Sequence, residues 1–206
     1  MALYDRQEQF KLNKLQSLTI VGCGGVGYWV AKFAAMSGIE KIYLFDPDRL
    51  EDHNLNRIDL PEKFVGMNKA EATKISIGAI REGCTVFSMP FKLQEHTFPR
   101  TDWLVDCTDN YNSQIENQKI ASKYHASYTK VGYDGYGISI NDKVAEWGEA
   151  EDGYTIEPSW VVPASVIAAM AVAKIMRFQD REFHSTIPQM LGVKTPTIKK
   201  IRSMEG

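Results

Sequence analysis

Cysteine is scarce in this chain of 206 residues: there are three, Cys23, Cys84 and Cys107, and no Cys-x-x-Cys pair. An odd, scattered set excludes a disulfide framework and a thiolate zinc site. Net charge is nearly absent as well, at −2, which removes the electrostatic reason to expect nucleic acid as the main partner. Long apolar runs are missing. The longest, residues 161–176, is interrupted by Pro163, Ser165 and Lys174, so no membrane segment is expected. No signal-peptide pattern opens the chain, and the expected location is the cytoplasm. His53, His96, His125 and His184 fall in no metal or triad spacing. There is no internal repeat and no low-complexity segment. What remains is ordinary globular composition, 44% hydrophobic and 24% charged. A chain of this length buries roughly 70% of its unfolded surface without a covalent or metal staple.

The most informative stretch is 18–48, LTIVGCGGVGYWVAKFAAMSGIEKIYLFDPD. Leu18–Val21 reads as a strand buried on both faces. The turn Gly22-Cys23-Gly24-Gly25-Val26-Gly27 follows, and then an apolar helix from Tyr28 to Met36. A second strand, Lys41–Phe45, ends in Asp46 and Asp48. Glycines let the backbone turn tightly and approach a phosphate, and a helix start offers it free N–H groups and a positive dipole end. An acidic side chain at the tip of the next strand accepts hydrogen bonds from ribose hydroxyls; Asp46 lies 24 residues after Gly22, close to the usual spacing. This pattern points to a nucleotide without separating NAD, FAD and ATP. A tight strand–helix turn with no ligand would use the same glycines.

Further along, residues 3–15 read as a short amphipathic helix or arm. Residues 49–66 form a polar connection with Asn54, Asn56, Arg57 and the breaker Pro61. Lys69–Ile80 reads as a helix, Thr85–Met89 as a strand, Trp103–Cys107 as a buried strand, Asn112–His125 as a helix and Ser127–Gly132 as extended. Gly132–Gly137 reads as a turn cluster, and Ile138–Ile140 and Lys143–Trp147 after it, separated by Asn141-Asp142, suggest an antiparallel hairpin. An acidic loop (148–159), a small-residue helix (163–177) and a basic tail with Lys194, Lys199, Lys200 and Arg202 complete the chain. The expected fold is α/β: a Rossmann-like, mostly parallel sheet with helices on both faces and antiparallel strands added at the C-terminal side. The expected organisation is an arm (1–16), a nucleotide-binding adenylation domain (17–178) and a C-terminal extension (179–206).

Four separated motifs then resemble the ThiF/MoeB/HesA family, bacterial relatives of ubiquitin-activating enzymes. They are Tyr4-Asp5-Arg6-Gln7; the glycine turn with Asp46-Pro47-Asp48; Asn54-Leu55-Asn56-Arg57 with Gly66-Met67-Asn68-Lys69; and Asp106-Cys107-Thr108-Asp109-Asn110. The resemblance implies adenylation, in which a carboxylate attacks the α-phosphate of ATP and pyrophosphate leaves, aided by cations at fixed places. It implies that Gly22, Gly24, Gly25 and Gly27 shape the ATP pocket, with Asp46 on the ribose and Asp48 as a further contact. Asn54 and Arg57 would reach the phosphates, Lys69 would neutralise them, and Asp109 would bind Mg²⁺. Arg6 would match an arginine supplied by the neighbouring subunit of a homodimer.

Each residue also has a plainer reading. Arg57 and Lys69 could be surface charges, Asp48 turn chemistry beside Pro47, Asp109 a helix cap, and Arg6 part of an arm with no catalytic role. The chain departs from the family where Ile58 replaces a common glutamine, and where the paired zinc-binding cysteines are absent. No cysteine follows Cys107, so no thioester step is expected. The implied substrate is the C-terminus of a small ubiquitin-like or sulfur-carrier protein. A peptide carboxylate and a base in transfer RNA are the alternatives within the family. An NAD-dependent oxidoreductase and a catalytically inactive binding subunit are the alternatives outside that activity.

Overall fold

A computed structural model describes residues 2–13, 15–144, 155–156, 158–177, 181–194 and 201–202. Five strands, β1 (Ser17–Val21), β2 (Lys41–Phe45), β3 (Thr85–Met89), β4 (Trp103–Asp106) and β5 (Ser127–Asp134), form the parallel part of one sheet. Two more, β6 (Gly137–Asn141) and β8 (Phe183–Thr186), add to it antiparallel; the spatial order is β3-β2-β1-β4-β5-β6-β8. A small separate pair joins β7 (Thr155–Ile156) to β9 (Ile201–Arg202). The chain thus reverses its direction of strand addition between β1 and β4. In an open parallel sheet this reversal opens a crevice at the carboxyl ends of the strands.

Side-chain alternation divides the core between two faces. Leu18 and Ile20 on β1, Ile42 and Leu44 on β2, and Val105 on β4 point to one side and are fully buried. Helices α1 (Gly25–Met36), α2 (Lys69–Gly78) and α4 (Val161–Ile175) contribute to the core there. Val21, Phe45, Leu104 and Tyr128 point to the other side, under α3 (Tyr111–Lys123). The short α5 (Ile187–Met190) follows β8. Ala31, Ala34 and Ala35 on α1 and Ala164, Ala168 and Ala171 on α4 are all buried. Small side chains on both helices let the two backbones pack closely. No described helix is long and apolar enough to cross a membrane.

Sequence and structure differ in three places. The hairpin turn is Gly135-Tyr136, not Asn141-Asp142: β5 runs on to Asp134, which pairs with Gly137. Gly135 has φ +57°, the left-handed backbone that the first position of a two-residue hairpin loop favours. Lys143 and Val144 are not in a strand, and 145–147 lie outside the described residues. Asp142 instead anchors the end of β6, taking the buried Lys174 ammonium of α4 at 3.1 Å and donating its N–H to Glu182. The arm holds only one 3-10 turn, Glu8–Phe10, ended by Lys11 at φ +52°; Leu12 and Leu15 pack on the core, whereas Leu3 and Phe10 are exposed. Of the acidic loop and the basic tail, residues 148–154, 157, 195–200 and 203–206 also lie outside the described residues.

Candidate functional site

The turn after β1 is held from below. Gly22 donates its N–H to the Phe45 carbonyl (2.8 Å) and has φ +85°; a Cβ there would sit 3.0 Å from the Cys107 carbonyl oxygen. A Cβ at Gly27 would sit 1.7 Å from the Gly22 carbonyl oxygen, so the start of α1 lies directly against the turn. At Gly24 the space is open, with nothing within 4 Å of an added Cβ. Gly22 and Gly27 therefore serve close backbone packing, whereas a side chain at Gly24 would meet open space. Gly24 is also the N-cap of α1, whose first N–H groups carry the positive end of the helix dipole.

Asp46 is only 4% exposed. Its carboxylate accepts the Cys23 N–H at 2.6 Å and the Asp48 N–H at 2.8 Å, clamping the glycine turn to the end of β2. Burial raises its pKa, and the two backbone donors and the Lys69 charge offset this in part. Lys69 forms an ion pair with Asp48, Nζ to Oδ2 at 3.1 Å. Asn68, to which the sequence assigns no role of its own, organises this corner. Its Oδ1 accepts the Ala70 and Glu71 N–H groups as the N-cap of α2, and its Nδ2 donates to the Asp46 and Asp48 carbonyls at 2.8 and 3.0 Å. One side chain thereby fixes Lys69 against the loop that follows β2.

The segment between Leu50 and Leu60 carries the arginine. The aliphatic stem of Arg57 lies over Gly25, where a Cβ would meet Arg57 Cδ at 2.9 Å. Trp29 on α1 donates its Nε1–H to the Arg57 carbonyl (2.8 Å). Arg57 Nη1 donates to the His53 carbonyl and to Asn56 Oδ1, both at 2.9 Å. Among the described residues Nη2 has no partner. Asn54 is buried, and its Oδ1 accepts the Glu51 N–H (3.1 Å); the Nδ2 has no partner among the described residues. Ile58 is buried beside Tyr28 and Leu50, so this departure from the family serves packing.

At the end of β4 two aspartates differ completely. Asp106 is fully buried and accepts four hydrogen bonds, from the Thr108 N–H and hydroxyl, Asn117 Nδ2 and the Tyr128 hydroxyl; it ties β4, α3 and β5 together. The Tyr128 hydroxyl is held well above its ordinary pKa by burial, then by the Asp106 charge. Asp109 is exposed and has no hydrogen-bond partner among the described residues. The N-cap of α3 is Asn110, which accepts the Ser113 N–H, so Asp109 does not cap the helix. No group of three or more His, Cys, Asp or Glu is placed to hold a metal among the described residues. Mg²⁺ needs no such group, because it keeps waters and takes one or two carboxylates together with phosphate oxygens. Asp109 fits that demand.

Arg6 stands apart from these residues. The arm docks where α1 ends: the Tyr4 hydroxyl donates to the Ala35 carbonyl (3.3 Å), and Gln7 Nε2 donates to the Ser37 carbonyl (2.7 Å). The glycine turn is at the other end of that helix, about 18 Å away for twelve residues. Cys23 is buried, while Cys84 and Cys107 are half-buried rather than fully buried. Burial pushes the Cys84 thiol up to about 11, and burial raises the Cys23 and Cys107 thiols too.

Comparison with known proteins gives a match to the ThiF family over residues 1–205. The chain belongs to the ThiF family. It is 32% identical over 120 residues to the molybdopterin-synthase adenylyltransferase of Haemophilus influenzae, covering 56% of this chain and 47% of that protein. It is 26% identical over 174 residues to the adenylyltransferase and sulfurtransferase UBA4 of Eremothecium gossypii, covering 79% of this chain and 38% of that protein. The chain thus spans about half or less of the length of these curated relatives. Among solved structures, the fold is like that of the microcin C7 biosynthetic enzyme MccB in complex with N-formylated MccA. The TM-score is 0.79 at 21% identity, covering 98% of this chain and 72% of that one. It is also like E. coli MccB with ATP, with a TM-score of 0.71 at 21% identity, covering 84% and 64%.

Proposed function

We propose that this ThiF-family chain is an ATP-dependent adenylyltransferase that activates a carboxylate, using Mg²⁺, as a homodimer in the cytoplasm. The proposed substrate is the C-terminus of a small ubiquitin-like or sulfur-carrier protein. A carboxylate oxygen attacks the α-phosphorus, the bond from that phosphorus to the bridging oxygen breaks, and acyl adenylate and pyrophosphate result. The observation that supports this most is the gathering of unlike groups at one sheet edge. An open-faced glycine turn, a guanidinium whose Nη2 has no partner among the described residues and an Asp109 likewise unpaired among them all adjoin the carboxyl ends of β1, β2 and β4.

Asp46 and the space above Gly24 would take the ribose and the adjoining phosphate. Arg57 Nη2 and Lys69 would hold phosphate oxygens, with Lys69 exchanging its Asp48 partner for the nucleotide. Asp109 would hold Mg²⁺, which when bound supplies positive charge to the triphosphate oxygens. Such positioning and charge neutralisation is most of what phosphoryl transfer requires. The high thiol pKa values support direct release of the adenylate over transfer to a cysteine.

The test is ATP–pyrophosphate exchange with Mg²⁺ against a panel of small carrier proteins ending in Gly-Gly, with peptides and transfer RNA as further arms. Exchange that requires one carrier and disappears in Asp109→Ala is the expected result; that variant should melt with the unmodified chain, since Asp109 is exposed. No exchange with any substrate of the panel would overturn the reading; full exchange in Asp109→Ala would overturn the assignment of Mg²⁺ to Asp109. Tight NAD binding without Mg²⁺ would point instead to redox chemistry.

A further inference from the structure

Asn56 uses both ends of its amide across two parts of the chain. Its Oδ1 accepts from Arg57 Nη1 at 2.9 Å, and its Nδ2 donates to the Ser159 carbonyl at 2.7 Å. Arginine can only donate and a carbonyl can only accept, so a single orientation of the amide satisfies both. Ser159 immediately precedes Trp160, the N-cap of α4, and its hydroxyl is hydrogen-bonded to the Tyr133 hydroxyl on β5. The chain leading into α4 is therefore fastened to the sheet at one point and to the neighbour of Arg57 at another.

We propose that Asn56 is a positioning residue that couples the pose of the Arg57 guanidinium to the chain at Ser159. The part of this that concerns phosphate binding rests on the adenylation reading above. Arg57 is then held from three directions: Trp29 at its carbonyl, Gly25 beneath its stem, and Asn56 with His53 at Nη1. Of these, Asn56 is the one hydrogen-bonded, among the described residues, to Ser159 ahead of α4. Opening of the chain at Ser159 releases one of the two hydrogen bonds on the Asn56 amide, and the guanidinium loses the fixed partner that keeps Nη2 turned outward. Conversely, an anion on Nη2 that holds Arg57 in place also holds Asn56 against Ser159. Linkage of this kind is reciprocal.

Two independent measurements test the coupling. The first is the rate of chymotryptic cleavage after Trp160 in the ligand-free protein; cutting there requires local opening at the start of α4. The second is the ATP dissociation constant. Asn56 is exposed, so its variants should fold, and a melting curve checks this. Asn56→Leu, similar in size and without hydrogen bonds, is expected to be cleaved after Trp160 at least threefold faster. It should also bind ATP at least fivefold more weakly. Asn56→Asp keeps an acceptor for Arg57 but sets an oxygen against the Ser159 carbonyl, and should likewise be cleaved faster. Combined with Arg57→Ala, Asn56→Leu should weaken ATP binding no further, because it acts through the arginine.

Unchanged cleavage after Trp160 in Asn56→Leu would overturn the link to Ser159. Unchanged ATP affinity, or a full additive loss in the double variant, would overturn the action through Arg57. If the unmodified chain performs no pyrophosphate exchange, the adenylation reading fails, while the cleavage rates still decide the tether.

Discussion

Replacing Gly27 and Gly24 separately by alanine divides the glycine turn into a part that packs and a part that faces ligand. At Gly27 the added Cβ would sit 1.7 Å from the Gly22 carbonyl oxygen, where real contacts stay beyond 3.0 Å. The helix start and the turn must then separate by more than about 1 Å. There is little slack, because Gly22 is bonded to Phe45 and abuts the Cys107 main chain. Overpacking of this kind costs about 3 kcal/mol at the upper end of its usual range. Alanine in place of glycine in a helix returns about 1 kcal/mol, leaving a net loss of about 2 kcal/mol. For a chain of this size that lowers Tm by about 4–8 °C.

Gly24→Ala meets no atom within 4 Å and alters only the N-cap, a loss of at most about 1 kcal/mol, or about 2–4 °C. Its methyl group does project into the open space, and ATP affinity should fall by about tenfold or more, the loss of one well-made contact. Differential scanning fluorimetry and calorimetric ATP titration measure the two effects on the same samples. A Gly24→Ala protein that binds ATP like the unmodified chain would refute the placement of nucleotide above that residue. A Gly27→Ala protein with an unchanged Tm would refute the rigid close approach.

Asn68→Ala removes an N-cap and takes a donor from the Asp46 and Asp48 carbonyls, of which Asp48 keeps the Lys69 N–H, a loss of about 2–4 kcal/mol that urea unfolding would read. Asn68→Asp should recover only the capping share, since it cannot donate to those carbonyls. With the Cys84 thiol up at about 11 against an ordinary 9.0, its thiolate fraction near pH 8 is roughly a hundredfold below that of a free thiol. Iodoacetamide should therefore label the native protein slowly and the urea-unfolded protein fast; rapid native labelling would contradict the burial. The raised pKa of Asp46, chiefly from burial, carries a pH signature. Affinity for adenosine, which has no phosphate to titrate, should fall on acidification with a midpoint above the ordinary 3.8, and Asp46→Asn should lack that limb. On the folding side the neutral form is favoured. The corresponding stability is present below 3.8 and is lost as pH rises through the higher value of the folded protein.

The parts of the site that are local in sequence were readable from it. A strand, a glycine turn and a helix succeed one another within 18–36, and Asp46 follows at the next strand tip; such spacing is fixed by backbone geometry. What stayed hidden depends on contacts over long sequence separations. Asn68 acts on the carbonyls of Asp46 and Asp48, Trp29 on the carbonyl of Arg57, and Asn56 on the carbonyl of Ser159. A carbonyl is present at every residue, so none of these partnerships leaves a pattern in the residue types. The misplaced hairpin has a similar cause. Gly135-Tyr136 and Asn141-Asp142 both carry turn-forming residues, and β6 pairs with β5 across the first and with β8 on its other side. The fold class needed no such information, because alternating strand and helix patterns already imply a largely parallel sheet.

The docked arm carries a consequence for rate laws. Tyr4 and Gln7 fasten Arg6 to the end of α1 remote from the glycine turn of its own chain. Any catalytic contribution from Arg6, with the arm docked, must come from a second molecule. Turnover that depends on it would vary with the square of protein concentration on dilution below the dissociation constant of the pair, and with the first power above it. A strictly first-order dependence across that range would leave the arm the task of covering the helix end.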